Sequence, residues 1–295
     1  MLKEINKSEK KATRKNVLTW LQNQRVSSLF RPRVKVFARR KMSKLRPNRI
    51  WSSDLFFLPA LASFNYGKSV FLTVIDNFSS YAFVRVLKDK SKSSMIQGFQ
   101  SILEEAGTAC VYLHTDRGSE YTALKDLFRE HHIKNYNTTT GQKAFKSERY
   151  QKSLQIAIFK YMVANNTKKF IDKLQDLVYA YNHRPSRVLY GHTPAQAYKN
   201  PDTIAFLKKK FKEEKENYDQ AHSKPPKFAV GDWVRAPLDY GTFHRGYEVN
   251  FEDQVRKIIR VTKTSPPMYE LEGKKRKYYA KELSAAAETE QTRLW

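Results

Sequence analysis

Three strand-like runs follow one another at 51–58, 69–75 (SVFLTVI) and 81–87 (YAFVRVL), and no crossover helix fits between them. Each run is rich in β-branched and aromatic residues, which suit a pleated, half-buried surface. The last two are joined by DNFSS, a turn-forming stretch, so the spacing predicts an antiparallel meander. Downstream, 91–106 reads as a helix ending at Gly107, with apolar residues at 95, 96, 99, 102 and 103. A strand at 111–114, a helix at 122–132, a short strand at 133–138 and helices at 144–164 and 167–182 complete the order βββαβαβαα. That order predicts an α/β fold, a mixed sheet with helices packed on it.

On either side the pattern changes. Residues 16–21 (NVLTWL) suit a short amphipathic helix, and RPRVKVFARRKMSKLRPNR then reads as an extended basic arm with no helical stripe. The charge-dense stretch 208–219 is expected to be a solvated helical linker. After KPPKF, short strands at 233–236, 254–262, 268–271 and 277–280, separated by Gly, Pro and Asp turns, predict a small all-β barrel. The expected organisation is therefore a basic arm (1–48), an α/β core (49–205), a charged linker (206–224), a barrel (225–285) and a tail (286–295).

The formal net charge is +26, and the first fifty residues hold 16 Lys and Arg against 2 acidic residues. Such a field concentrates polyanions, which makes nucleic acid the first partner to consider, with a tail-mediated polycation as the plainer alternative. The single cysteine, Cys110, excludes a disulfide framework and any zinc site needing two thiolates. No apolar run is long enough for a membrane span and the N-terminus lacks the apolar segment of a secretory signal, so the expectation is an intracellular, soluble protein.

Three carboxylates stand out against this positive background. Asp54 lies within the apolar strand WSSDLFFL, where an unpaired buried charge is costly. Asp116 follows the strand at 111–114 in YLHTDRGSEY, and Glu148 opens a long helix after Ser147, where the positive helix end favours an acid. Singly, each has an ordinary reading: a paired strand acid, a turn residue, and a first-turn acid or partner of Lys152. Asp76, in the hairpin turn, is expected to face solvent, and Glu120 is a candidate hydrogen-bond partner beside Asp116.

The stretches WSSDL, TVIDNFSSYAFVRVLKDKS, LHTDRGSEY, KSERYQKSL and AYNHRPSRVLYGHTPAQAY resemble, in order and rough spacing, the catalytic core of retroviral and retrotransposon integrases. The C-terminal FAVGDWVRAPLDYGTFHRGYEVNFEDQVRKIIRVTKTSPPMYELEGKKRKYYAKEL is most similar to the barrel of integrases from Polinton (Maverick) DNA transposons, and the likeness runs from about 17 to 285. The resemblance implies a ribonuclease-H-like fold in which Asp54, Asp116 and Glu148 form a catalytic triad holding Mg²⁺, with Mn²⁺ as a substitute. It implies metal-dependent polynucleotidyl transfer in the nucleus: 3′-end processing, then strand transfer by a homo-oligomer on DNA. Three carboxylates suit two such ions, one beside the attacking oxygen and one beside the leaving oxygen. Between Asp116 and Glu148 31 residues intervene, fewer than is usual in the family, and the shortening falls in YNTTTGQKAFK, which resembles its flexible catalytic loop. The family's N-terminal zinc site has no counterpart, since no Cys or His precedes Cys110 and His114; either the module has been lost or the chain begins after it.

On this reading Lys152 and Gln155, at i+4 and i+7 from Glu148, share its helix face and would contact a DNA end, while a salt bridge from Lys152 to Glu148 is the alternative. Lys143 and Lys146, just ahead of Glu148, would grip phosphates. In the arm Arg31, Arg33, Arg39 and Arg40 would follow the DNA backbone unless they are simply solvated, and in the barrel Arg256, Lys257 and Arg260 are the DNA-binding candidates. His114 is expected to pack rather than act as a base. Trp233, Tyr240, Phe243, Tyr247 and Phe251 read as barrel core before they read as a ligand cage. The rival function is an inactive, domesticated or decaying integrase-derived DNA-binding protein; a structure-selective nuclease of the same fold is a third.

Overall fold

The computed structural model describes residues 13–22, 24–34, 36–42, 44–115, 119–137, 145–238 and 247–287. The chain divides into two compact units, Ser43–Glu214 and Met1–Met42 together with Lys215–Trp295. In chain order, α1 (Arg14–Gln22) and α2 (Arg25–Phe30) come first, then β1 (Ile50–Phe57), β2 (Val70–Asp76), β3 (Ala82–Leu87), α3 (Lys92–Ala106), β4 (Tyr112–Thr115), α4 (Lys125–Glu130) and β5 (Lys134–Asn137). They are followed by α5 (Phe145–Ala164), α6 (Leu174–Asn182), α7 (Pro194–Lys199), α8 (Pro201–Ala221) and strands β6 (Trp233–Pro237), β7 (Phe251–Thr262), β8 (Met268–Leu271), β9 (Lys277–Tyr279) and β10 (Ser284–Ala285).

The core unit is built on one mixed sheet of order β3-β2-β1-β4-β5. β1, β2 and β3 form the antiparallel meander, while β4 runs parallel to β1 and β5 parallel to β4. With helices on both faces, this is the ribonuclease-H-like arrangement. β2 is buried along its whole length, as a strand covered on both faces must be. On one face Trp51, Leu55, Leu72, Val74 and Phe83 join Met95, Phe99 and Ile102 of α3. On the other, Phe56, Phe71, Ile75 and Val84 meet Tyr150, Leu154 and Ile158 of α5 and Leu174 and Val178 of α6. Phe71 is fully buried and stacks on Phe56 at 4.7 Å, and burying a ring of that size contributes about 2–3 kcal/mol.

Local signals set the boundaries of α3. Ser91 caps its N-terminus by accepting a hydrogen bond from the Ser94 amide, and Gly107 ends it in the left-handed region at φ 64°. Gly98 lets α3 approach the sheet closely, since a Cβ there would collide with Leu87. The helix expected at 122–132 is instead a 3-10 segment, Ser119–Leu124, running into the shorter α4. The charged stretch expected as a solvated linker belongs to α8, and its apolar stripe is not solvated: Leu207 and Phe211 are buried with Phe78, Leu189 and Ala197.

The second unit holds an antiparallel sheet of order β10-β6-β7-β8-β9 that curls into a small barrel. β7 is twelve residues long and bends at a register shift between Ile258 and Arg260, so it pairs with β6 at one end and β8 at the other. Its interior holds Phe228, Val234, Ile258, Tyr269, Leu271 and Tyr278. The N-terminal residues pack on this barrel. Arg25 of α2 makes a two-pronged ion pair with Asp253 at 3.0 and 2.8 Å, the Asn250 amide donates to the Leu29 carbonyl, and Phe37 meets Tyr279 edge-on at 5.5 Å. Of the aromatics expected in the core, Phe251 is buried but Tyr247 is 70% exposed, because it lies on the loop before β7; Tyr240 and Phe243 lie outside the described residues.

Candidate active site

Side chains alternate along β1, so Asp54 shares a sheet face with Phe56, the face covered by α5. Asp54 is half-buried, and its carboxylate accepts a hydrogen bond from the Leu55 amide at 2.9 Å. Across the ladder its partner is Thr73 of β2. The Thr73 hydroxyl donates to the Asp54 carbonyl at 2.8 Å and accepts from the Gln151 side-chain amide at 3.0 Å. Gln151 belongs to α5, and Glu148 stands three residues before it on the first turn, with its side chain exposed. The helix of Glu148 is thereby tied to the strand position of Asp54. Asp116 lies outside the described residues, as do Lys143 and the side chain of Glu120.

Beside this pair the turn after β2 is more highly built than its sequence suggests. Asp76 was expected to face solvent, yet it is fully buried. It closes the ladder opposite Trp51, and its carboxylate accepts from the amides of Phe78, Ser79 and Asn48 and from the Ser79 hydroxyl. Burial raises its pKa despite these donors and the nearby Lys146. The correction has a simple cause: DNFSS folds back over its own aspartate, and Asn48 closes the other side.

Lys146 is the second difference. It sits in the first turn of α5 and not on a free loop, and its ammonium donates to the Asn77 carbonyl and, at 3.4 Å, to the Ser80 hydroxyl. Enclosure, reinforced by repulsion from Lys44, pulls its pKa down to about 7. A lysine so enclosed is turned toward the protein rather than toward a phosphate. His114 is buried and stacked on Tyr136 at 5.1 Å, and burial lowers its pKa, which agrees with packing. Behind β1, the Ser53 and Tyr121 hydroxyls share a hydrogen bond of 2.9 Å.

Lys152 is exposed and Gln155 half-buried on α5, where with Ile156, Phe159 and Lys160 they line a shallow groove of about 640 Å³. Among the described residues no ion pair joins Lys152 to Glu148. The basic candidates of the second unit fall into two groups. Arg31 donates to the Leu283 carbonyl at 3.4 Å, Arg33 to the Leu238 carbonyl at 2.9 Å, and Arg256 to Gln254, Glu252 and the Glu272 carbonyl; Arg39 lies over the Phe37 ring at 4.6 Å. Arg40, Lys257 and Arg260 are exposed, although Lys257 lies 5.6 Å from the Trp233 ring centre.

Among the described residues no three His, Cys, Asp or Glu side chains gather into a metal-binding group. The donor types do fit one class of ion: Asp54 and Glu148 offer hard carboxylate oxygens, as Mg²⁺ and Mn²⁺ prefer. Cys110 is buried and its pKa is pushed up to about 12, so it offers no thiolate to a softer metal. No described helix is long and apolar enough to cross a membrane.

Comparison with known proteins finds similarity over part of the chain. Residues 44–143 match the family described as the integrase core domain. A transposon-derived protein of Caenorhabditis elegans is 25% identical over 197 residues, a match that covers 65% of this chain and 63% of that protein, so the chain spans less than two thirds of its length. A chain in the structure of the simian T-cell lymphotropic virus intasome in complex with PP2A regulatory subunit B56 gamma aligns with a TM-score of 0.66 and 14% identity, covering 94% of this chain and 92% of that one. The catalytic core domain of HTLV-2 integrase in complex with magnesium aligns with a TM-score of 0.44 and 18% identity, over 52% of this chain and 98% of that chain. The matched segment lies within the core unit, Ser43–Glu214.

Proposed function

We propose that this protein is a DNA integrase of the transposon type, a metal-dependent polynucleotidyl transferase whose site is formed by Asp54, Asp116 and Glu148. The observation that carries this reading is a register. β1 and β4 are parallel, with Ser52 opposite His114. The strand that carries Asp54 is therefore the neighbour of the strand that Asp116 follows in the sequence. Glu148 would complete the set from α5, whose Gln151 already reaches the partner of Asp54.

The three carboxylates would hold Mg²⁺, or Mn²⁺ in its place. When bound, such ions activate the attacking oxygen and neutralise charge on the leaving oxygen of an in-line displacement. The protein's own contribution includes turning the enclosed ammonium of Lys146 toward Asn77 and Ser80. Lys152 and Gln155 extend outward from Glu148 along α5 and would contact the DNA end. One site would then serve both trimming by water and joining by the exposed 3′ hydroxyl. Arg40 in the arm and Lys257 and Arg260 in the barrel would supply exposed positive surface, Lys143 precedes Glu148 by five positions in the sequence, and Arg31, Arg33, Arg39 and Arg256 would reach DNA only with what their contacts inside the protein leave available. The partners are transposon-end and target DNA held by a homo-oligomer, the setting is the nucleus, and the barrel sequence allies the chain with Polinton integrases.

The test is nicking and joining of short duplex DNA with Mg²⁺ or Mn²⁺, wild type beside Asp116→Asn and Glu148→Gln. The expected result is turnover by wild type alone, with all three proteins binding DNA. A wild type that binds DNA and never cuts or joins it would show the inactive DNA-binding protein instead, and cutting without joining would show a nuclease.

A further inference from the structure

We propose that Thr73, Gln151 and Lys146 are positioning residues that set α5 in register with β1 and so aim Glu148 toward Asp54; the role rests on the functional reading above. Apolar burial alone does not fix such a register, because it is non-directional. α5 lies on the sheet through Tyr150, Leu154 and Ile158, apolar contacts that hold the helix on the sheet without directional bonds along its axis. Hydrogen bonds supply that direction, and two sets of them bracket Glu148.

The first lies two residues before it. Lys146 donates to the Asn77 carbonyl and the Ser80 hydroxyl. Asn77 is itself fixed to β1: its amide donates to the Ile50 carbonyl at 2.9 Å and its side-chain oxygen accepts from the Ser52 hydroxyl at 3.0 Å. The second lies three residues after Glu148, where Gln151 donates to Thr73 and Thr73 donates to the carbonyl of Asp54 itself. Both tethers therefore end on β1, one at its start and one at the candidate metal-binding residue.

The chemistry of position 73 argues against simple packing. Its neighbours on the same face of β2 are Phe71 and Ile75, both buried and apolar, and Thr73 is fully buried between them. A hydroxyl placed there must be hydrogen-bonded to be tolerated, whereas valine would fill the same space without that demand. What the hydroxyl adds is direction. Misplacing a reacting constellation by about 1 Å costs on the order of a hundredfold in rate, so a relay that fixes the helix would be felt in catalysis before it was felt in folding.

The experiment uses the full chain as wild type, Thr73→Val, Thr73→Ser and Lys146→Met, with three readouts: amide hydrogen exchange over 145–151 without metal, Mn²⁺ affinity by calorimetry, and single-turnover nicking with DNA affinity measured alongside. Thr73→Val is expected to fold but to melt below wild type, because the buried Gln151 amide loses its acceptor, to exchange faster over the first turns of α5, to bind Mn²⁺ about tenfold or more weakly, and to nick about 10–100-fold more slowly with DNA affinity unchanged. Thr73→Ser restores all of these, and Lys146→Met reproduces the exchange and Mn²⁺ losses should the valine variant fail to fold. Wild-type exchange and Mn²⁺ affinity in both Thr73→Val and Lys146→Met would overturn the relay. A wild type that binds Mn²⁺ yet shows no turnover sinks the functional reading alone, and the exchange and Mn²⁺ arms still decide the relay.

Discussion

The two units use their positive side chains in different ways. In the core, cohesion comes mainly from two apolar layers on either side of the sheet, with Lys146 and Arg85 as inward-turned exceptions, and Lys152 is left exposed on the groove-lining face of α5. In the barrel unit, several arginines are themselves the mortar. Arg235 has no exposed surface and donates to the Ser28 hydroxyl and the Asp253 carbonyl, while Arg25, Arg31 and Arg33 reach Asp253 and the carbonyls of Leu283 and Leu238. Counting charge therefore overstates the surface free to meet a polyanion, since part of the arm's basic density already serves the barrel.

The comparison is sharpened most by deleting one cohesive element from each side. Phe71→Ala should destabilise the core by about 3–5 kcal/mol, through lost burial and the cavity left between Phe56 and Phe170. In exchange experiments the loss should appear over β1–β3 and α5. Arg235→Met should cost about 3 kcal/mol, because the Asp253 carbonyl and Ser28 lose a buried donor. Its signature is faster exchange in α2 and β7 with the core unaffected; equal loosening of the core would break the comparison.

Smaller substitutions divide the charges by role. Arg33→Ala is expected to cost about 1 kcal/mol of barrel-unit stability by freeing the Leu238 carbonyl. Lys152→Ala should leave melting unchanged and weaken DNA binding, lowering the salt-dependence slope by about one. The smallest effect is a pH dependence. Arg25 holds the Asp253 carboxyl below its ordinary 3.8, so the ion pair's contribution is present above that value and is lost as pH falls through the lower folded one. Because Asp253 is largely exposed, under about 1 kcal/mol is at stake. Acid titration followed by exchange in α2 should show the loss, and Asp253→Asn should abolish it.

Much of the core was legible because its signals are local. Apolar runs such as SVFLTVI, the Ser91 cap and the Gly107 stop announce β2 and α3 within a residue or two. In the sequence Asp54 stands out as an acid within an apolar strand, whereas Glu148 is an ordinary first-turn helix acid until the resemblance singles it out. Asp76 was not, because a DNFSS turn reads as surface unless one knows that β2 ends opposite Trp51 and that Asn48 lies against it. Thr73 and Gln151 were missed as well: a threonine in a strand and a glutamine in a helix carry no signature until the two are brought together across 78 positions. The packing of α2 on β7 depends on Arg25 meeting Asp253 across 228 positions, and β10 is only two residues long. Neither leaves a periodic trace.

The most direct test of the central claim, that Asp54, Asp116 and Glu148 converge on one cation site, is calorimetric titration of Mn²⁺ into wild type and into Asp54→Asn, Asp116→Asn and Glu148→Gln, each bound to a short DNA duplex. Convergence predicts saturable binding by wild type and a loss of about tenfold or more in affinity for every single variant, with the melting temperature and DNA affinity preserved. Wild-type Mn²⁺ affinity in any one of the three would remove that residue from the site and contradict the triad.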